Sequence, residues 1–156
     1  MMGKSDEKMD LVIIGGGIFG CAIAYYFSKN NPGKQLMLLE RNELNNAATS
    51  RAAALMTMVR SKRSYIPLTI ETFKVAKEME EELGETLDFK VVGMMHVAAS
   101  EAKVRDLEML MGIAKEYDQE AYYISKEEAK EKAPWLKVDE ALKIGFVPNE
   151  AYCDPY

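Results

Sequence analysis

The chain has 156 residues, 48% of them hydrophobic and 29% charged, with a formal net charge of −5, which allows a folded core and excludes disordered and collagen-like classes. Lys and Arg are interspersed with Glu along the helical segments, so no positive field is available and nucleic acid is not an expected partner. Two cysteines without CxxC spacing and one histidine indicate neither a disulfide framework nor a metal site, and fit a reducing, cytoplasmic compartment.

The polar start "MMGKSDEKMD" lacks signal-peptide character, and glycines interrupt the apolar run after it well short of a spanning length. No transmembrane segment is expected, while peripheral membrane attachment stays open. Leu11 to Ile14 reads as a strand buried on both faces, as in a parallel sheet. Ile18, Ala22, Ile23, Tyr26 and Phe27 then recur at helical spacing until "NNPG". "KQLMLLE", Lys34 to Glu40, is a second buried strand, which completes a βαβ unit.

In "NELNNAATS", Ser50 or an earlier Asn is placed to cap a helix over Arg51 to Arg60. A longer helix runs from about Pro67 to a stop at Gly84. "FKVVGMMHVAAS" reads as a strand with a Gly inside it, and a domain boundary is placed near Asp88. Residues 101 to 118 form an amphipathic helix, and "AYYI" is a brief strand. "SKEE", Ser125 to Glu128, is a capping box opening a short helix that Pro134 stops. "ALKIGFVP" is the last strand, before "AYCDPY".

Gly15, Gly17 and Gly20 stand in GxGxxG spacing between strand and helix, and Glu40 ends the next strand 20 residues past Gly20. That context is what dinucleotide binding requires: Gly15 for the tight turn, Gly17 for backbone approach to a pyrophosphate, Gly20 for close helix–strand packing. The helix N-terminus offers free N–H groups to phosphates. Glu40 can accept from both ribose hydroxyls and would repel a 2′-phosphate, so NADP is disfavoured, with NAD and FAD both open. Thr49, Ser50 and Arg51 give a second hydroxyl and anion contact useful to FAD, or an ordinary N-cap.

With the glycine loop, "LLER" and "ATSRAA", the chain resembles the FAD-dependent amine and amino-acid oxidoreductases of the D-amino acid oxidase superfamily, in the branch of sarcosine oxidase, glycine oxidase and the dye-linked L-proline dehydrogenase β subunit. "RSYIPLTIETFK", "DFKVVGMMHVAAS", "YISKEEAKEKAPWL" and "GFVPNEAYCDPY" resemble further segments of that branch in order. The resemblance implies an α/β fold: a Rossmann-like FAD-binding βαβ unit (residues 1–88) and the first part of an α+β substrate domain (89–156). Chains of the family run to more than twice this length, so an incomplete fold is implied, the N-terminal portion of an oxidoreductase that is truncated or completed by a second chain.

By position, the resemblance implies that Gly15, Gly16, Gly17, Ile18, Phe19 and Gly20 hold the FAD pyrophosphate. It places Glu40 on the adenosine ribose, Arg41 near the adenine, and Thr49, Ser50 and Arg51 along the phosphates and the flavin side. Relatives often carry a Gly where Ala52 to Ala54 stand here. The implied activity is oxidation of the C–N bond of a small amino acid or secondary or tertiary amine by hydride transfer to FAD. No catalytic residue is assigned. A non-catalytic split-gene subunit and an NAD-binding dehydrogenase domain are the alternatives.

Of the remaining residues, His96 reads as structural rather than facing substrate, and Arg60, Lys62 and Arg63 as a solvated helix end. The methionines read as soft core fillers, and Tyr122, Tyr123 and Trp135 as core packing rather than interface anchors.

Overall fold

The computed structural model of the protein describes residues 8–154. The first seven residues of the polar start, and Pro155 and Tyr156 of "AYCDPY", lie outside the described residues. The chain divides into two compact units, the first closing at Ala53 and the second spanning Ala54–Asp154.

In the first unit, β1 (Leu11–Ile14) and β2 (Leu36–Leu39) flank α1 (Ile18–Asn30). The strands pair in parallel with Leu11 opposite Leu36 and Ile14 opposite Leu39, so the helix between them is a crossover. The Asp10 carboxylate fixes the start of the pair, accepting from the Gln35 amide and the Lys34 ammonium, each at 2.9 Å. The expectation of strands buried on both faces is corrected. Ile13 is buried, but Val12 is 49% and Ile14 87% exposed, because among the described residues α1 alone covers this two-stranded sheet.

The second unit holds two antiparallel sheets. β3 (Leu55–Met56), β4 (Lys90–Val91) and β8 (Ala151–Tyr152) form one in the order β3-β8-β4; β5 (Met94–Ala98), β6 (Tyr122–Tyr123) and β7 (Lys143–Val147) form the other in the order β5-β7-β6. The run "FKVVGMMHVAAS" is thus two strands in different sheets. Gly93 separates them at φ 75°, a left-handed conformation that glycine adopts without steric cost, and a Cβ there would strike the Phe146 ring.

The helix expected over Arg51 to Arg60 does not form. Turns run through Arg51, and β3 follows, pairing Leu55 with Tyr152 and Met56 with Ala151. Three successive alanines favour helix intrinsically, but non-local pairing overrides that weak preference. Ala54 adopts φ 50°, a conformation costly to any residue with a Cβ. A 3₁₀ turn (Arg63–Tyr65) then leads into α2 (Ile66–Leu83), with proline in its first turn and Gly84 closing it at φ 67°.

α3 (Glu101–Glu116) is capped by Ser100, whose hydroxyl accepts from the Lys103 amide. α4 (Lys126–Lys132) opens with the expected capping box: the Glu128 amide donates to Ser125 Oγ at 3.1 Å, and the Ser125 amide donates to Glu128 Oε2 at 2.8 Å. The two faces of the β5–β7 ladder bury different clusters. Ile124, Ala129, Val138, Ala141, Ile144 and Phe146 form one, and Val59, Ile66, Ile113, Ala114 and Val147 the other. Full burial of a side chain such as Ile66 or Ile113 contributes about 1.5–3 kcal/mol. The aromatic expectation is corrected, since Trp135 is 81% exposed and Tyr122 and Tyr123 lie at the open edge of β6. Tyr122 still packs edge-on against Phe146, with ring centroids 5.7 Å apart.

Candidate functional site

The glycine turn is shaped by a left-handed backbone at Gly15 and by close contacts at Gly16, Gly17 and Gly20. Gly15 takes φ 107°, and a Cβ on Gly20 would run into the Gly15 carbonyl oxygen. Backbone of α1 therefore sits directly on the turn leaving β1. A Cβ on Gly16 would meet the Leu44 side chain, and one on Gly17 would come within 3.3 Å of Thr49 Oγ1.

Glu40, one residue past β2, closes onto this turn. Its Oε2 accepts from the Gly16 amide at 2.7 Å and its Oε1 from the Asn42 amide at 2.9 Å. These backbone donors, Asn42 first, hold the carboxyl below its ordinary value of 4.5 with help from Arg41, so it is ionised at neutral pH. An ionised carboxylate has about four acceptor positions, so capacity remains beyond these backbone donors for a hydroxyl.

Thr49 performs a task other than the one its sequence position suggests. It precedes no helix; instead Thr49 Oγ1 accepts from the Ile18 amide at 3.2 Å, capping α1 from 31 residues away in sequence. The amides of Gly17 and Phe19 meet no acceptor among the described residues, so the positive end of α1 keeps free donors. Ser50 is buried and donates to the Ala47 carbonyl at 3.2 Å. It fixes the loop and does not cap a helix. Ile18 and Phe19 are exposed at the same helix end, and Arg41 and Arg51 project into solvent.

Two residues that carry no motif in the sequence complete the cradle. Asn45 donates its amide to the Gly16 carbonyl at 2.8 Å and accepts from Ser50 and Ala47 through its own carbonyl. It does so at φ 64°, a left-handed position where Asn is favoured among residues with side chains. Leu44 covers Gly16. The Asn pair in "NELNN" was the available signal, since Asn tolerates that backbone region.

The arrangement fits an extended dinucleotide: bare backbone where a pyrophosphate would approach, unpaired amides at a helix N-terminus, and an ionised carboxylate with remaining acceptor capacity at the neighbouring strand end. The family described as DAO, FAD dependent oxidoreductase, matches residues 10–156. This chain belongs to that family of FAD-dependent oxidoreductases.

Human mitochondrial dimethylglycine dehydrogenase is 29% identical over 150 residues, which are 96% of this chain and 17% of that protein. Glycine oxidase from Bacillus subtilis is 30% identical over 154 residues, 94% of this chain and 40% of that protein. Among solved structures, L-proline dehydrogenase from P. horikoshii superposes with a TM-score of 0.84 at 25% identity, covering 96% of this chain and 39% of that one. The chain thus spans well under half the length of each. The α/β fold and FAD as the family's cofactor agree with the reading of the sequence, and the family assignment removes NAD from consideration.

His96 lies outside this cradle, in the second unit. It faces Gly145 across the β5–β7 ladder, on the side where Leu107 and Met111 of α3 approach Gly145. Its Nε2 is buried without a partner among the described residues, and burial holds the imidazole below its ordinary value of 6.5. A base held low contributes stability that is present above pH 6.5 and lost as pH falls through the folded value, because the unfolded chain then binds the proton first. His96→Phe is expected to flatten the unfolding midpoint below pH 6.5 relative to the native protein, as measured by thermal melts across pH. An unchanged acid slope would remove His96 as its source.

Arg60, Lys62 and Arg63 are exposed, but not at the end of a helix over 51–60: Arg63 pairs with Glu116 at 2.9 Å and Lys62 lies over the Tyr65 ring. Among the described residues no three His, Cys, Asp or Glu side chains gather as metal ligands, and no helix is long and apolar enough to cross a membrane.

Proposed function

We propose that this chain is the N-terminal, FAD-holding portion of an oxidoreductase acting on the C–N bond of a small amino acid or a secondary or tertiary amine. The carrying observation is the Glu40 carboxylate closed onto the Gly16 amide at 2.7 Å, which makes the glycine turn and the ribose acceptor one rigid unit. Gly15, Gly16, Gly17, Ile18, Phe19 and Gly20 would offer backbone donors to the pyrophosphate, and Glu40 would accept from the adenosine ribose. Arg41 would lie near the adenine, and Thr49, Ser50 and Arg51 along the phosphates. When bound, FAD supplies the hydride acceptor that amino-acid side chains lack. The activities that dimethylglycine dehydrogenase, sarcosine dehydrogenase and glycine oxidase carry in their names support the substrate class.

The functional boundary between cofactor and substrate portions remains proposed near Asp88, although the compact units divide earlier, at Ala53, and Asp88 falls within the second. Further chain, covalent or separate, would cover the exposed faces of Val12, Ile14, Phe19 and Ile23, since apolar surface of that extent marks a contact. A split subunit requiring a partner is the second reading that these faces favour. Two unpaired cysteines support a reducing, cytoplasmic compartment.

The test is cofactor retention. Protein purified with added FAD is expected to carry flavin absorbance through gel filtration. Folded protein that retains no flavin, alone or with its completing chain, would falsify the assignment.

A further inference from the structure

Glu150 is 1% exposed, at the turn between β7 and β8. Its Oε1 accepts from the amides of Met58 at 2.9 Å and Val59 at 3.1 Å, residues 92 and 91 positions earlier. Its main-chain carbonyl accepts from Val92 at 3.0 Å and Gly93 at 2.9 Å, in the turn joining β4 to β5. One residue therefore ties three distant parts of the second unit together. Thr69 Oγ1 lies 2.9 Å from the carbonyls of both Met58 and Ile66 and shares its one proton between them, a second, weaker tie on the Met58 segment.

A buried carboxylate is an expensive way to satisfy two amides, because the charged form loses its hydration. Among the described residues its second oxygen, Oε2, has no partner, and neither does the buried hydroxyl of Thr57 beside the held segment. Packing alone does not call for a charge here: Val59, Ile66 and Val147 already form a buried apolar cluster. What packing cannot supply is an acceptor for two successive amides that come after β3 and have no strand partner.

We infer that Glu150 is the positioning residue of the second unit: its side chain sets the path of Thr57 to Arg60 after β3, and burying its carboxyl there makes the stability of the unit, not that path, depend on pH. This rests on the cofactor reading only in that β3 begins four residues past Arg51, on the chain leaving the proposed FAD loop. The charged groups around Glu150 are few. Arg60, on the held segment, favours the ionised form, and on β4 Lys90 is paired with Asp88 at 2.8 Å. Loss of hydration outweighs Arg60 and the two amides and keeps the carboxyl above its ordinary 4.5. A folded value above the unfolded one means that the contribution is fully present below pH 4.5 and declines as pH rises through the folded value.

The experiment compares wild type, Glu150→Gln and Glu150→Ala in the protein as isolated, by amide hydrogen exchange and by unfolding midpoint against pH. Gln keeps an acceptor for both amides without the charge; Ala removes it. Glu150→Ala is expected to lower protection of the Met58 and Val59 amides about tenfold or more, with the Ala129 amide unchanged. Glu150→Gln is expected to keep that protection within about threefold and to gain midpoint over wild type progressively above pH 4.5. If Glu150→Ala does not fold, the Gln comparison decides alone. Unchanged protection in Glu150→Ala, lost protection in Glu150→Gln, or a wild-type-minus-Gln difference independent of pH would each overturn the inference. Flavin content read in the same samples reports separately on the cofactor reading.

Discussion

Replacing Gly20 by alanine is expected to abolish flavin retention and to lower the unfolding midpoint of the protein. The added Cβ would fall on the Gly15 carbonyl oxygen, with the Gly15 carbonyl carbon at 3.0 Å and Ile13 Cγ2 at 3.4 Å. The obstacle is backbone of the turn itself, which has no rotamer to change. Relief requires moving α1 away from β1, and that would pull the free amides at Gly17 and Phe19 off the place where phosphate oxygens would sit in the proposed FAD complex. Overpacking of this kind costs about 1–3 kcal/mol; a small shift of those donors costs cofactor affinity in addition.

Gly112 supplies the control. It is also a helical glycine, but a Cβ there meets nothing within 4 Å, so Gly112→Ala should be neutral or stabilising by about 0.5–1 kcal/mol through helix propensity. Thermal melts and flavin-to-protein ratios on both variants check the pair. Gly20→Ala with native flavin content would mean that the close approach is not required.

The contrast between these glycines marks what a sequence can disclose. Strand, glycine turn, helix and Glu40 lie within one local unit, and local periodicity with turn chemistry carries most of the information for it. The capping box at Ser125 and Glu128 was legible for the same reason, because both partners lie within one turn. The segment from Arg51 to Arg60 was not, since its conformation is decided by partners such as Tyr152, Ala151 and Glu150, about a hundred residues away. Thr49 misleads in a similar way: a hydroxyl before "SRAAA" looks like the cap of a helix ahead of it, whereas it caps the helix behind it. Glu150 carries no signal at all in sequence, as one acidic residue among 25. Only its burial distinguishes it. The exposed aromatics at Tyr122, Tyr123 and Trp135 have the opposite origin, for composition alone cannot say how much core a given length of chain encloses.

Glu40→Ala is expected to weaken FAD binding by about a hundredfold or more, the loss of two hydrogen bonds to a charged acceptor, each worth roughly a factor of ten. It would also strand the Gly16 and Asn42 amides that the carboxylate now receives, loosening the turn that presents the phosphate donors. Glu40→Gln separates these effects. One amide oxygen can still receive Gly16, so the turn should hold, while the ribose hydroxyls lose a charged acceptor and affinity falls by an intermediate amount. The pH dependence comes from the same contacts. The Asn42 and Gly16 amides hold the carboxyl below its ordinary 4.5, and a depressed acid contributes stability that is complete above the unfolded value and lost as pH falls through the folded one. FAD affinity of the native protein should therefore stay flat through pH 4.5 in its Glu40 component and fall only below it, as the folded carboxyl takes up its proton. In Glu40→Gln that acid component should vanish. Fluorescence titration with FAD across this range measures both, and an acid limb unchanged in Glu40→Gln would assign the titration, and with it the ribose contact, to another group.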